Sequence, residues 1–337
     1  MLHGHGDDRY RYATDVRADF STNVWYGGEP TGLKEYLFSQ WDSINRYPEV
    51  LAESLARQIA YHHQVDTDQV LVNSGTTESI YLIAQAYARR TTTIVIPTFA
   101  EYEDACRMHG HSLHFMNWDQ LAQLPQMTSD LVFICNPNNP TGAVFGQLAD
   151  WIAQNPQTLF VVDEAFIEFT DQLDTAISLL NQFSNVVIMR SLTKAYAIPG
   201  LRLGYVVGSS LLIDRLKAVK QPWTVNAMAL AAGRHIFDNF DSVQLPLSQL
   251  LADKQLFINA LLRNSAIQVY DSGTHFFLAR TQKGTAAQLK TYLIENHGLL
   301  IRDASNFRGL EAGHFRVCTL SPEKNALLLD ALTAWNN

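Results

Sequence analysis

A lysine just after a predicted strand carries the most distinctive chemistry in this sequence. Lys194 follows the apolar run 186–189, and open α/β sheets bind ligands in the crevice beyond the carboxyl ends of their strands. The lysine amine can bond covalently to a carbonyl cofactor. Ser191 and Arg202 are spaced to reach one anionic group, such as a phosphate, with a hydroxyl and a fixed cation. A surface lysine in a loop is the alternative interpretation.

Two further polar residues follow predicted strands. Asp163 comes directly after the run 158–162, and an aspartate that faces a pyridine nitrogen keeps that nitrogen protonated, which makes the ring an electron sink. The same aspartate can instead cap a helix. Asn139 lies in the segment 136–142, whose Asn, Pro and Gly residues are typical of a turn, although its side chain can also hydrogen-bond a ring oxygen.

A possible anion site lies in the segment 73–78, which opens a predicted helix. Its backbone amides and the helix dipole can bind a phosphate. An ordinary capping motif is the alternative, because Ser74 with a nearby Thr or Glu caps a helix well. The four segments follow one another along the chain, each at a predicted strand end or helix start.

The composition excludes several classes of function. Of 337 residues, 47% are hydrophobic and 17% are charged, which is enough apolar material for a large core and argues against disorder. The 25 Lys and Arg against 33 Asp and Glu give a net charge of −8, which disfavours general binding to nucleic acids or anionic membranes. The longest apolar runs are about five residues, against the roughly 20 that a membrane helix needs.

The cysteines and the N-terminus favour a cytoplasmic location. Cys106, Cys135 and Cys318 are widely separated and form no CxxC pair, so neither a disulfide framework nor a cysteine zinc site is indicated. The first residues lack the apolar segment of a signal peptide. We therefore expect a cytoplasmic enzyme or ligand-binding protein with small-molecule partners.

The hydrophobic pattern predicts a mainly parallel sheet covered by helices. Short apolar runs predict strands at 93–96, 131–135, 158–162, 186–189 and 204–207, with helices between them at 78–90, 100–109, 147–154 and 175–183. From about residue 209 the pattern changes, and it predicts helices at 211–220, 226–239, 247–263, 286–296 and 322–334 with strands at 267–269 and 276–278. This later part is expected to form a second, smaller α+β unit.

The four polar segments, in this order, resemble the fold-type I aminotransferase family of enzymes that depend on pyridoxal 5'-phosphate (PLP). The resemblance covers nearly the whole chain and is most specific around Lys194. It implies an α/β fold in which a large domain has a mainly parallel seven-stranded sheet between helices, with a small α+β domain beside it. We expect residues 46–239 to form the large domain, and residues 1–45 and 240–337 to form the discontinuous small domain.

The resemblance also assigns cofactor-binding residues. It implies that Lys194 holds PLP covalently and that Asp163 contacts the pyridine nitrogen. It further implies that Asn139 contacts the ring hydroxyl oxygen and that Tyr102 stacks on the ring. The phosphate is expected to be held by residues of two segments, namely Gly75, Thr76 and Thr77, and Ser191 and Arg202.

The resemblance implies a homodimer with sites at the subunit interface. Tyr47, in the segment 45–48, matches a tyrosine that reaches the phosphate bound to the neighbouring subunit. At the substrate end, Arg316 matches the family's substrate-anchoring arginine, whose guanidinium binds a carboxylate or phosphate through two hydrogen bonds. Arg302 matches a second anion ligand of the branches with phosphorylated substrates, and His3 and Asn23 resemble a phosphate-binding entry segment.

Two branches of the family fit the sequence: threonine-phosphate decarboxylases and histidinol-phosphate aminotransferases. The segments 99–102, 191–205, 221–227 and 301–310 look more like the decarboxylases. Phe166 agrees, because the aminotransferases usually have a tyrosine at this position. Three features depart from the pattern: the short stretch between His3 and Asp19, the Val-Trp-Tyr-Gly-Gly run after Asn23, and His275 in place of an asparagine. The sequence leaves both decarboxylation and transamination open.

Three other classes of function are disfavoured. The pairs His3/His5 and His109/His111 lack the carboxylate or cysteine companions of a metal site, so no metal is expected. No GxxxxGK[ST] or GxGxxG motif follows a predicted strand, which argues against a nucleotide-binding protein. A regulatory protein of the same fold without catalysis is expected to lack Lys194 or Asp163, and both are present.

Overall fold

The computed structural model describes residues 8–13, 15–263 and 266–336. Its α-helices are α1 (Leu33–Ser39), α2 (Glu53–His63), α3 (Gly75–Ala86), α4 (Glu101–Met108), α5 (Leu148–Gln154), α6 (Ser210–Lys217), α7 (Ala227–Asp238), α8 (Leu247–Leu261), α9 (Ala286–His297) and α10 (Pro322–Asn336). Its strands are β1 (Ala18–Asp19), β2 (Val70–Asn73), β3 (Thr91–Ile96), β4 (Ser112–Asn117), β5 (Leu131–Cys135), β6 (Leu159–Asp163), β7 (Val186–Ser191), β8 (Gly204–Gly208), β9 (Ile267–Val269), β10 (Phe276–Thr281), β11 (Leu299–Leu300), β12 (Arg302–Asp303) and β13 (His314–Cys318).

Within the described residues, seven strands form a large sheet in the order β2-β8-β7-β6-β5-β3-β4. The pairs from β7 across to β4 are all parallel, whereas β8 runs antiparallel to both β7 and β2. This confirms the mainly parallel seven-stranded sheet and the α/β fold class predicted from the sequence.

The large sheet is covered on both faces, as its sequence requires. Every residue of β5, β6, β7 and β8 is buried, although successive side chains of a strand point to opposite faces. Helix α3 contacts β7 and β8, and helix α4 contacts β3 and β4. In α2, the buried positions Leu55, Ala56, Ile59 and Ala60 repeat at helical spacing, so that one face of this helix packs on β2 and α7.

A smaller antiparallel sheet with the order β12-β13-β10-β9 follows in the C-terminal part. Helix α8 contacts β9, helix α9 contacts β10, and α10 packs on both helices. Near the N-terminus, β1 pairs in parallel with β11, whereas α1 contacts α7. Since the segment before residue 46 contacts both parts of the chain, the domain division at 45/46 and 239/240 stays a prediction.

The structure contains elements that the hydrophobic pattern did not predict, namely α1, α2, β1, β2, β4, β11, β12 and β13, and one predicted helix takes another form. Strand β4 was missed because it lies at the sheet edge, where its burial alternates and no continuous apolar run arises. Strand β2 was missed because only three apolar residues precede Asn73. The helix predicted at 175–183 is a short 3₁₀ helix, Ala176–Asn181, in which the Thr175 hydroxyl accepts the Ile177 N–H at 3.3 Å.

Candidate active site

The strand ends of the large sheet bring most of the predicted site residues together. Asp163 ends β6, Ser191 ends β7, and Gly204 pairs with both Ser191 and Asn73 at the same edge. A cavity of about 260 Å³ opens at this edge. It is lined by nine of the predicted residues, namely Asn23, Thr76, Thr77, Tyr102, Asn139, Asp163, Lys194, Arg202 and Arg316.

Lys194 lies on a tight turn between β7 and β8. Its carbonyl oxygen accepts the backbone N–H groups of Trp25, at 3.0 Å, and Ala197, at 3.3 Å, which fixes the turn from two sides. Ser191 is buried, and its hydroxyl hydrogen-bonds the Thr193 hydroxyl at 2.8 Å. Thr193 lines the cavity, so Ser191 is tied to the cavity wall through its neighbour. The backbone thus holds the lysine side of the cavity rigidly.

The amino end of α3 forms an anion site with Arg202. Gly75 has a φ of 78°, in the left-handed region that favours glycine. A Cβ atom at this position would lie 2.6 Å from Nη2 of Arg202, so the guanidinium occupies the space that the missing side chain leaves. The amides at the start of α3 and this cation therefore converge beside Thr76 and Thr77, an arrangement that suits a phosphate.

Tyr102 lines the cavity beside Asp163. Its ring stacks on Phe133, with centroids 5.2 Å apart, and its predicted stacking on the cofactor ring stays a prediction. Its hydroxyl donates a hydrogen bond to Oδ2 of Asp163 at 2.7 Å. Phe99 lines the same cavity and meets Tyr102 edge to face. Phe99, which the sequence reasoning did not single out, is therefore a further candidate for contact with a planar ring.

Asp163 is a buried carboxylate that suits a cationic partner. Burial raises its pKa, and the Tyr102 hydroxyl, the Ala165 N–H and the charge of Lys194 act in the opposite direction. The Ala165 N–H donates to Oδ1 at 2.9 Å. A protonated pyridine nitrogen would add a charge that favours the ionised carboxylate, so the residues present fit PLP.

We predict that Tyr102→Phe lowers kcat about tenfold, since a hydrogen bond to a charged group contributes roughly 1.5–3 kcal/mol. Without the hydroxyl, the pKa of Asp163 rises further and the carboxylate holds a proton on the ring nitrogen less well. The measurement is the pH dependence of kcat and of the cofactor absorbance. A variant with an unshifted pH profile and only a lower melting temperature would contradict this role.

Arg316 lies buried at the other end of the cavity. Its Nη1 donates to Oδ1 of Asn139 at 2.5 Å and its Nη2 donates to the Ser21 carbonyl at 2.5 Å. Its Nε has no hydrogen-bond partner among the described residues. Burial and the charge of Arg302 lower the pKa of Arg316 to about 9. An anionic ligand would relieve both effects, which supports the predicted anion-binding role.

A second cavity of about 680 Å³ adjoins the first at Phe99, Asn139 and Arg316. Arg302 lines this second cavity, where its Nη2 donates to Oδ1 of Asn306 at 2.9 Å and its Nη1 donates to the Asp303 carbonyl. Arg316 lines both cavities, whereas Arg302, its partner across the β12/β13 pair, lines the second. The two cavities offer room for a ligand with two anionic groups.

Asn23 is buried, and neither polar atom of its side chain has a partner within the described part of the chain. It lines the first cavity together with Arg316, which makes it a candidate to hydrogen-bond a ligand. His3, the other residue of the predicted entry segment, lies outside the described residues.

His275, which departs from the family pattern, is a neutral group in the core. It is buried and stacks on Phe169 with ring centroids 3.7 Å apart. Burial, then the charge of Arg316, lowers the pKa of His275 to about 3, so the imidazole adds no cation at neutral pH. It is not part of the cavity lining.

Tyr47 lies apart from the cavity of its own chain. Its side chain is 85% exposed and its ring lies 5.3 Å from that of Trp223. Its predicted contact with a neighbouring subunit stays a prediction.

Of the two histidine pairs, His109/His111 lies in the described part of the chain, whereas His3/His5 lies outside it. His111 is buried, with Nδ1 hydrogen-bonded to the Thr92 hydroxyl at 2.7 Å and Nε2 to the Ala84 carbonyl at 2.8 Å. No group of three or more His, Cys, Asp or Glu side chains among the described residues is arranged to hold a metal ion. Nor does any described helix have the length and apolar character needed to cross a membrane.

The fold and the cavity define a class of protein, the fold-type I enzymes that depend on PLP. The sequence pattern of the family described as "Aminotransferase class I and II" matches residues 20–332. The chain therefore belongs to this family, and its cofactor is PLP. It is accordingly an enzyme.

Three known proteins illustrate the similarity. The threonine-phosphate decarboxylase of Salmonella typhimurium is 35% identical over 94% of this chain and 91% of its own length. The crystal structure of the L-threonine-O-3-phosphate decarboxylase from Porphyromonas gingivalis superposes with a TM-score of 0.92 at 38% identity, covering 95% of this chain and 99% of the other. The histidinol-phosphate aminotransferase from Clostridium acetobutylicum gives a TM-score of 0.86 at 25% identity, covering 95% and 99% of the two chains.

Proposed function

We propose that this chain removes the α-carboxylate of a short O-phosphorylated amino acid, L-threonine O-3-phosphate, with PLP as its cofactor. The observation that carries the proposal is the pair of adjoining cavities. One contains Lys194 and Asp163, and the other opens from it at Arg316 and contains Arg302. A substrate that spans both cavities needs two anionic groups, as a phosphorylated amino acid has. The decarboxylases from Salmonella typhimurium and Porphyromonas gingivalis carry the corresponding names, which supports this substrate.

The first cavity is proposed to hold the cofactor. Lys194 would bind it covalently, and Asp163 would hold a proton on the ring nitrogen. Asn139 would contact the ring oxygen, since its Oδ1 already accepts from Arg316 and its amide nitrogen is left to donate. The phosphate would be bound at Gly75, Thr76 and Thr77, and by Ser191 and Arg202. When bound, PLP supplies an electron sink for the bond that breaks at Cα.

The two arginines are proposed to decide which bond at Cα breaks. Arg316, Arg302 and Asn23 would hold the carboxylate and the phosphate of the substrate apart, with His3 as a further predicted ligand. This docking sets the angle of the Cα substituents, and the bond that is aligned with the ring orbitals is the one that breaks. Nζ of Lys194 would return a proton to Cα. In the alternative, a histidinol-phosphate aminotransferase, the same lysine would remove the Cα proton.

The experiment compares both reactions on one preparation. We expect L-threonine O-3-phosphate labelled at the carboxylate to release labelled carbon dioxide without any added oxo acid. Histidinol phosphate with 2-oxoglutarate serves as the matched comparison and should give no glutamate. Strict dependence on 2-oxoglutarate, with glutamate formed, would instead establish the aminotransferase.

We further propose that the enzyme is a cytoplasmic homodimer. Large apolar side chains are exposed along one stretch of the surface, which we call the apolar patch: Phe38, Trp41, Ile44, Tyr47, Val50 and Trp223. Several of these residues are neighbours: the Trp223 backbone N–H donates to the Val50 carbonyl at 3.0 Å, the Tyr47 and Trp223 rings lie 5.3 Å apart, and the Phe38 and Trp41 rings lie 6.4 Å apart. Exposed patches of this kind are typical of protein interfaces. The predicted contact of Tyr47 with the phosphate of the neighbouring subunit would require the patch, which contains Tyr47, to lie at the interface.

We predict that Trp41→Glu weakens the dimer by at least about tenfold, since charge burial at an apolar interface is strongly unfavourable. The measurement is mass by light scattering across a dilution series, with 37.9 kDa expected for the monomer. Leu256→Glu is the matched control, because Leu256 on α8 is 68% exposed and lies outside the apolar patch. A wild-type chain that stays monomeric at micromolar concentration would contradict the proposal.

A further inference from the structure

A fully buried lysine lies behind the amino end of α3. The side chain of Lys220 is inaccessible to solvent, yet its ammonium makes three hydrogen bonds. The acceptors are Oδ1 of Asn73 at 2.9 Å, Oε1 of Glu78 at 2.6 Å and the Thr224 hydroxyl at 2.7 Å. Glu78 is the only carboxylate among them. Burial lowers the pKa of Lys220, and Glu78 counteracts that effect.

The partner carboxylate stands at the proposed phosphate site. Glu78 lies in the first turn of α3, and its Oε2 accepts the backbone N–H of Ser74 at 2.5 Å. That N–H is next along the backbone to the amides of Gly75 and Thr76. A carboxylate at a helix amino end gains from the helix dipole, but it competes there with any second anion. A phosphate bound between α3 and Arg202 would therefore be repelled by an uncompensated Glu78.

We infer that Lys220 is a positioning residue which neutralises Glu78 and so lets the amino end of α3 accept the cofactor phosphate. The geometry supports this role because the Glu78 carboxylate bonds to both sides. Its Oε1 accepts from the Lys220 ammonium, and its Oε2 accepts from the Ser74 backbone N–H. Asn73 strengthens the arrangement, since its Nδ2 donates to the Ser79 hydroxyl at 2.8 Å while its Oδ1 accepts from Lys220. The inference rests on the proposed placement of the phosphate.

The experiment measures affinities of the full-length apoprotein for PLP and for pyridoxal, which lacks the phosphate, by absorbance titration. We expect Lys220→Met to weaken PLP binding about tenfold, because it removes a positive charge near a phosphate in a partly buried site. The affinity of the variant for pyridoxal should stay within about twofold of the wild-type value. The double variant Lys220→Met/Glu78→Gln should regain most of the lost affinity, because it removes both charges. A purely structural role predicts no such recovery.

If Lys220→Met folds poorly, a second variant still tests the inference. Glu78→Gln alone leaves the buried ammonium uncompensated and should tighten PLP binding about threefold relative to pyridoxal. Weaker PLP binding in Glu78→Gln, or equal losses for both ligands in Lys220→Met, would overturn the inference.

Arg202→Met separates this inference from the proposed site. If the cofactor phosphate lies at the amino end of α3, Arg202→Met should weaken the binding of PLP more than the binding of pyridoxal. Selective loss in Arg202→Met without selective loss in Lys220→Met would overturn the role of Lys220 alone. Equal losses for both ligands in Arg202→Met would overturn the phosphate placement itself, and the role of Lys220 with it.

Discussion

Replacing Lys194 with alanine is expected to lower kcat by about 10⁴-fold or more, the loss typical of removing a group that is both covalent anchor and proton carrier. Lys194 is the lysine that lines the cavity, and its turn is held by backbone hydrogen bonds that alanine retains. The variant should therefore fold normally. Borohydride treatment of the wild type, followed by peptide mapping, should place the cofactor on Lys194.

Lys254→Met is the matched control for Lys194→Ala. Lys254 is buried, its ammonium donates to the Ser272 carbonyl at 2.6 Å, and it is not part of the cavity lining. Its loss should reduce stability and leave borohydride labelling of Lys194 intact. If Lys194→Ala were still labelled in high yield at another lysine, the assignment of Lys194 would be wrong.

Replacing Asp163 with asparagine is expected to lower kcat by about 10²–10³-fold, because preorganised charge at the reacting group is worth several kcal/mol. Asparagine keeps the size of the side chain but supplies no negative charge to hold a proton on the ring nitrogen. The measurement is the pH at which the cofactor absorbance changes, compared between variant and wild type. We expect the nitrogen to lose its proton at lower pH in the variant.

Glu164→Gln is the control for Asp163→Asn, since it removes the next buried carboxylate along the chain. Glu164 accepts the Ala176 N–H at 2.6 Å and lies 3.5 Å from Nη1 of Arg190. It should therefore affect stability rather than the cofactor spectrum. Equal spectral shifts in the two variants would show that burial of charge in general, and not the position of Asp163, controls the ring nitrogen.

The site was predictable from the sequence because its residues follow buried strands. Apolar runs place Asp163 at the end of β6 and Lys194 after β7, and parallel strands bring their carboxyl ends to one edge. The family resemblance then supplied the distant Arg316, which no local pattern connects to Asn139 177 positions earlier. The hydrophobic periodicity of the sequence predicts neither that Arg316 and Asn139 are in contact nor the distance between them.

Other features depend on packing that the sequence does not display. Phe99 and Tyr102, two aromatic residues three positions apart, both line the cavity, but only the Tyr102 ring also stacks on Phe133 and bonds to Asp163. The buried Lys220 bonds to Glu78 142 positions away, so neither residue signals the other in the sequence. The 3₁₀ helix at Ala176–Asn181 has the composition of an α-helix but is too short to propagate one.

The most direct test of the central claim is a single reaction of L-threonine O-3-phosphate, labelled with ¹⁵N, in deuterated water and without an oxo acid. Proton and phosphorus magnetic resonance follow the product. We predict a phosphorylated amino alcohol that retains ¹⁵N and carries one deuterium on the carbon that lost the carboxylate. Exchange of the Cα proton for deuterium with retention of the carboxylate, and no phosphorylated amino alcohol formed, would contradict decarboxylation.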